Sequence, residues 1–217
     1  MTVLYYSSNR EEPGFEARIM ARLLESCGDL PVVSVTQRPT DLGRNICVGD
    51  VGHSYLNEWR QIQIGAEAAG TEWVAFAEAD FLYPEEYFRF QPKGGDIHRC
   101  GNVWIVFRDG DGYSRKRWSE GAQVCRREYI VRYFKEFLAG YPEWLDGEVR
   151  PIIGRDKIVE YYKISFNLFD CAVPCVSFKT GNGMRPGTRT LSGAGNRAAA
   201  LPHWGNIADL KRKYLDG

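Results

Sequence analysis

The chain has 217 residues, of which 44% are hydrophobic and 13% aromatic, an ordinary globular composition that excludes a disordered or low-complexity protein. Lys and Arg balance Asp and Glu at 28 each, which argues against a plain basic nucleic-acid binder. No stretch of about 18 or more apolar residues occurs, so no membrane span is expected.

The first residues, Thr2 to Ser7, are β-branched and aromatic and predict a strand rather than a signal peptide. A polar loop, Ser8 to Gly14, leads to a helix over Phe15–Cys27, where Phe15, Ile19 and Leu23 recur at helical spacing and Gly28 marks the stop. Leu30–Val35 predicts a second strand. Thr36–Gly52 reads as a long polar loop, and His53–Ala69 as a second helix ended by Gly70. A third strand covers Val74–Ala77 and stops at Glu78-Ala79-Asp80. Beyond it the pattern predicts a short helix over Pro84–Arg89, a strand over Asn102–Phe107 and a tight turn at Asp109–Gly112. A helix over Ala122–Leu138, strands over Lys157–Tyr162 and Ala172–Phe178, and a last helix over Ile207–Tyr214 follow. Lys179–Arg197 is basic, polar and rich in glycine, and reads as a loop that orders on a ligand. The alternation of strand and helix in the first 80 or so residues implies right-handed crossovers and a parallel sheet: an α/β fold in one domain.

The six cysteines, Cys27, Cys47, Cys100, Cys125, Cys171 and Cys175, form no CxxC pair and no zinc-finger spacing. They are expected to be reduced thiols of an intracellular, cytoplasmic protein (host cytoplasm if the source is viral). The balanced charge hides an asymmetry. From Arg150 onward eleven Lys and Arg face five Asp and Glu, so a basic C-terminal third adjoins an acidic remainder. An anionic ligand at their junction fits this, and so do two halves that neutralise each other.

The most informative segment is Thr71–Pro84. Its buried-strand pattern ends in two carboxylates, at the strand end where open α/β sheets place their ligands. Carboxylates there need water, a cation or hydrogen-bond donors. A divalent metal serving a phosphate-bearing substrate meets that need, and so does a loop cap or an arginine pair.

Three features together resemble the GT-A family of nucleotide-sugar glycosyltransferases. The first strand opens into Ser7-Ser8-Asn9-Arg10. A helix bearing Asn57, Arg60 and Gln61 precedes the third strand. That strand ends in an acid-x-acid tripeptide, here Glu78-Ala79-Asp80, without the middle acid the family often carries. The match covers Thr2 to about Tyr87 and, more loosely, His203.

The resemblance implies a Rossmann-like, mostly parallel sheet. Residues 1–90 would bind the nucleotide sugar and residues 91–217 the acceptor. It implies Mn2+ or Mg2+ held by Asp80 and His203, and a UDP-sugar donor touched by Tyr5, Ser7, Asn9, Arg10, Arg60, Gln61 and Glu78. Arg185 and Arg189, with Arg197, would close over the diphosphate. Asp96 or Glu120 would serve as catalytic base. The compact chain is similar to phage enzymes that glycosylate hydroxymethylated pyrimidines in DNA. DNA is therefore one acceptor class, beside glycans and small metabolites, and Trp104, Tyr113 and Trp118 among the basic clusters 115–117 and 126–127 would stack on it. The alternatives are a nucleotidyltransferase of related fold and a non-catalytic nucleic-acid-binding module. The latter would bind with strong salt dependence and no need of nucleotide.

Overall fold

The structure, a computed structural model, describes residues 1–145, 164–184 and 196–216. The expected strand at 157–162 and the residues Arg185 and Arg189 lie outside them.

Strand β1 (Thr2–Ser7) is buried along its whole length. It lies between β2 (Val32–Thr36) and β4 (Trp73–Glu78), parallel to both. Helix α1 (Pro13–Cys27) connects β1 to β2. Glu12 caps it by accepting the N–H groups of Gly14 and Phe15, and Pro13 suits its first turn. Helix α2 (Tyr55–Ala68) precedes β4 and is capped by Ser54, whose Oγ accepts the N–H of Asn57. The long loop after β2 is not wholly irregular: β3 (Arg44–Cys47) extends the sheet edge parallel to β2. Its polar sequence hid it, because a four-residue edge strand with no fully buried residue carries no hydrophobic alternation.

The central sheet runs β10 (Asn167–Phe169), β6 (Ile97–Cys100), β9 (Gln123–Arg126), β4, β1, β2, β3. All its pairings are parallel except those of β9, which is antiparallel to both neighbours. The helix expected over Ala122–Leu138 is thus a strand followed by α4 (Arg127–Phe137). Four residues flanked by strands on both sides satisfy their backbone in the sheet, and a run that short has no readable period.

The two faces of the sheet follow the alternation of β1. Leu4 and Tyr6 pack with Val74 and Phe76 against Trp59, Ile62 and Ala66 of α2 and against Phe134 and Phe137 of α4. Val3 and Tyr5 pack on the opposite face with Leu23 of α1 and with Tyr83 and Tyr87; Tyr87 belongs to α3 (Glu85–Arg89). Each such fully buried side chain contributes roughly 1.5–3 kcal/mol.

A second sheet runs β12 (Arg197–Ala198), β8 (Tyr113–Arg115), β7 (Val103–Phe107), β11 (Cys175–Lys179), β5 (Phe81–Leu82). Its apolar side packs on Phe15 and Ile19 of α1 and on Ile207, Leu210 and Tyr214 of α5 (Ile207–Tyr214). A short hairpin, β13 (Ala200–Leu201) and β14 (Gly205–Asn206), leads into α5. One connection matters for function. The chain leaves β4 at Glu78, turns through Ala79 and Asp80, and enters the second sheet as β5, antiparallel to β11. The N–H of Phe178 donates to the carbonyl of Asp80 at 2.7 Å, so the C-terminal end of β11 is fixed beside that turn.

All six cysteines are free thiols, and all but Cys47 are buried. No helix among the described residues is long and apolar enough to cross a membrane.

Candidate active site

The parallel strands β1 and β4 end together, with Tyr6 paired to Glu78. Above their C-terminal ends lies a cleft of about 180 Å³, the crevice in which open α/β sheets hold ligands. Its walls come from four places: the loop after β1, the turn after β4, the end of β11, and residues 116–121 before β9. The start of α2 closes one side.

Glu78 and Asp80 both line the cleft. The Tyr6 hydroxyl donates to Glu78 Oε1 at 2.9 Å. Burial, and then the negative charge of Asp80, push Glu78 up to about 7 against the opposing pull of Lys179. Lys179 is the last residue of β11, and its Nζ bonds Asp80 Oδ2 at 2.7 Å. Asp80 Oδ1 is buried without a hydrogen-bond partner. Glu11, from the loop after β1, accepts the Thr180 hydroxyl at 2.9 Å on Oε1, while its Oε2 is buried without a partner. Burial and the charge of Asp80 push Glu11 up to about 7 as well. On the opposite wall, Glu120 sits 3.6 Å from Lys116 Nζ and 3.8 Å from Nη1 of the fully buried Arg99. The cleft therefore presents carboxylates that can accept substrate hydroxyls, beside ammonium groups that can meet an anion.

A second cavity of about 340 Å³ adjoins the first and shares Ser8, Arg10, Glu11 and Gly52 with it. It runs over the end of β2, where Gln37 and Arg38 line it. The pair forms a depression suited to a ligand of two unlike parts.

Sequence reasoning located some of these residues and missed others. Ser7, Arg10, Gln61, Glu78, Asp80 and Glu120 line the cleft. The Gln61 amide, though, donates to the carbonyls of Ser7 and Val35 and ties two strand ends to α2. Asn9 lines only the second cavity, and its side chain is engaged in structure: Oδ1 accepts the N–H groups of Gln37 and Arg38, and Nδ2 donates to Glu16. Tyr5 is fully buried with its hydroxyl on Glu16, facing the core and not the cleft. Asn57 holds the carbonyls of Val51 and Leu145. Arg60 reaches the carbonyl of Glu143 and the side chain of Gln63, outside the cleft. Asp96 pairs with Arg126 at 3.2 Å, also outside it.

His203 is the clearest correction. Its Nε2 lies 3.2 Å from Arg22 on α1, its ring packs edge-on against Trp204, and it does not line the cleft. The hairpin that carries it belongs to the α1–α5 side of the second sheet, so Asp80 and His203 do not meet. Among the described residues no three His, Cys, Asp or Glu side chains come together as a metal-holding set. With one carboxylate oxygen of Asp80 already on Lys179, these residues do not fit a protein-held divalent cation.

Glu11, Lys179 and Thr180 were not foreseen as site residues, and Lys116 was named only within the basic cluster 115–117. The only available signal was their nearness in sequence to glycine-rich or polar turns. Of the stacking residues expected for an acceptor, Tyr113 is core, while Trp118 lies over Arg99.

No protein-family model matches the chain, and no curated protein matches it in sequence. Solved structures do match in shape. Residues 1–349 of TarS from S. aureus, in complex with UDP-GlcNAc, superpose with a TM-score of 0.51 at 10% identity, covering 82% of this chain and 58% of that one. The fold is Rossmann-like, of the GT-A type. A glycosyltransferase involved in glycosylation of the major capsid of PBCV-1 gives a TM-score of 0.47 at 11% identity, over 81% of this chain and 91% of that chain. The inositol-1-phosphate CTP transferase of T. maritima gives 0.48 at 10%, over 82% and 89%. The similar structures thus include both glycosyltransferases and nucleotidyltransferases. This chain spans little more than half of the TarS fragment.

Proposed function

We propose that the protein is a glycosyltransferase that moves a sugar from a nucleoside-diphosphate sugar to an acceptor hydroxyl. The observation that carries this reading is the cleft at the joined ends of β1 and β4, lined by Glu78 and Asp80, in a chain whose fold is similar to that of a UDP-GlcNAc-bound protein. The nucleoside would occupy the second cavity, over the ends of β1 and β2, with Arg10 between the two cavities toward the diphosphate. Asp80 and Glu78 would accept hydroxyls of the ribose and the transferred sugar.

In the reaction, the acceptor oxygen bonds to the anomeric carbon. The bond from that carbon to the diphosphate oxygen breaks, and its electron pair stays with the phosphate. The acceptor proton passes to a carboxylate. Glu120 is the assigned base: of the two acids expected in that role it alone lines the cleft, with Lys116 and Arg99 at 3.6 and 3.8 Å.

The test is a thermal-shift panel of nucleotide sugars and nucleoside triphosphates, followed by release of nucleoside diphosphate from the best donor. A nucleotide sugar is expected to stabilise the protein, and Glu120→Gln to slow transfer by roughly 10²–10⁴-fold while donor binding persists. Stabilisation by a triphosphate alone, with pyrophosphate released, would replace this reading with nucleotidyl transfer.

A further inference from the structure

The Asp80–Lys179 pair joins residues 99 positions apart, and the fold holds it from both sides. Asp80 is pinned by its carbonyl, which accepts the N–H of Phe178 at 2.7 Å. Lys179 follows directly on Phe178 at the end of β11, whose register with β5 and β7 is set by backbone pairing. The two side chains are 19% and 15% exposed, and both line the cleft. An ordinary surface lysine is mobile and fully hydrated, but this one is held in a fixed orientation at a largely desolvated corner. A unit charge so held acts strongly on a neighbouring anion.

We propose that the Lys179 ammonium, oriented by Asp80, is the positive charge that receives the donor diphosphate, in place of a protein-bound divalent cation. This rests on the nucleotide-sugar reading above. The donor set supports it: Asp80 gives one oxygen to Lys179, His203 sits in the β13–β14 hairpin against Arg22 of α1, and no three His, Cys, Asp or Glu side chains come together among the described residues. The charge that appears on the phosphate oxygen as the anomeric bond breaks is then met by the ammonium, and no proton need be transferred for this. Asp80 Oδ1 and Glu11 Oε2, buried and unpartnered, are the acceptors left for hydroxyl groups of the same ligand.

The experiment measures stabilisation of the full chain by UDP, GDP, CDP, ADP and dTDP, in excess EDTA and separately in MnCl2. One nucleoside diphosphate is expected to raise Tm equally in both buffers. Lys179→Met leaves Asp80 without its partner, so the double variant Lys179→Met/Asp80→Asn, which removes both charges, is titrated alongside it by calorimetry. The double variant is expected to bind that diphosphate roughly ten- to hundredfold more weakly than the single variant Asp80→Asn, the loss of a charge-assisted contact, with the hydroxyl contact of Asp80 altered equally in both. Stabilisation confined to manganese, or equal diphosphate affinity in the double variant and in Asp80→Asn, would overturn the role of Lys179 alone. No stabilisation by any diphosphate in either buffer would overturn the nucleotide-sugar reading together with it.

Discussion

Gly121→Ala separates the chemistry of the cleft from the stability of the fold. A Cβ built on Gly121 would lie 2.4 Å from the Glu78 carboxyl carbon and 2.5 and 2.6 Å from its oxygens. Ordinary contact begins near 3.4 Å, so the carboxylate must move by about 1 Å. The backbone cannot retreat instead, because the buried Tyr83 hydroxyl accepts the N–H of Glu78 at 3.0 Å and donates to the carbonyl of Gly121 at 2.6 Å. The displaced carboxylate loses the Tyr6 hydrogen bond, which costs about 1 kcal/mol, or roughly 2–4 °C in Tm for a chain of this size. The catalytic effect is larger. A displacement of about 1 Å at a substrate-positioning group costs on the order of 10²-fold in rate. The assay is kcat/KM for release of nucleoside diphosphate, with Tm measured on the same preparation. Activity within threefold of the parent at a normal Tm would mean that Glu78 does not touch the reacting part of the donor, and the site would have to be drawn elsewhere in the cleft.

Glu11 gives a pH signature. Its folded pKa, about 7, lies above the ordinary 4.5, so the folded state holds the proton more tightly than the unfolded chain. Its contribution to stability is complete below about pH 4.5 and is lost as the pH rises through 7. Glu11→Gln removes that loss, so its Tm relative to the parent should climb between pH 5 and pH 8; a constant difference across this range contradicts the assignment. Gly65→Ala tests the seat of α2. Helix propensity favours alanine by about 1 kcal/mol. The added methyl would sit 2.0 Å from Leu4 Cδ1 and 3.0 Å from Val35 Cγ2, however, and both of those residues are fully buried. Overpacking costs roughly 1–3 kcal/mol, and contacts this short put the site at the upper end, so denaturant titration should find a net loss of about 2 kcal/mol. A stabilised variant would mean that the helix stands further from β1 than described.

Much of the N-terminal part of the fold was legible because it is built from local patterns. Strands β1, β2 and β4 carry short apolar runs, α1 and α2 carry helical spacing with caps, and the acidic turn after β4 stands out against its apolar neighbours. The part after α3 was less legible. The strand β9 was absorbed into the helix that follows it, and β6, with its sequence Ile-His-Arg-Cys, carries no alternation, since the sheet buries all four residues.

The amino-acid order by itself determined that Glu78 and Asp80 stand at the mouth of a buried parallel strand, because side-chain period and strand ends are properties of neighbours along the chain. It did not determine which cation answers them. The sequence reading gave Asp80 a metal ion shared with His203. Only the packing decided for Lys179: β5 crosses into the second sheet beside β11 and carries residue 179 to residue 80, while Trp204 anchors the hairpin of His203 by donating to the carbonyl of Pro174 at 2.7 Å. The contact between residues 99 positions apart is set by sheet register, which leaves no mark on the local sequence.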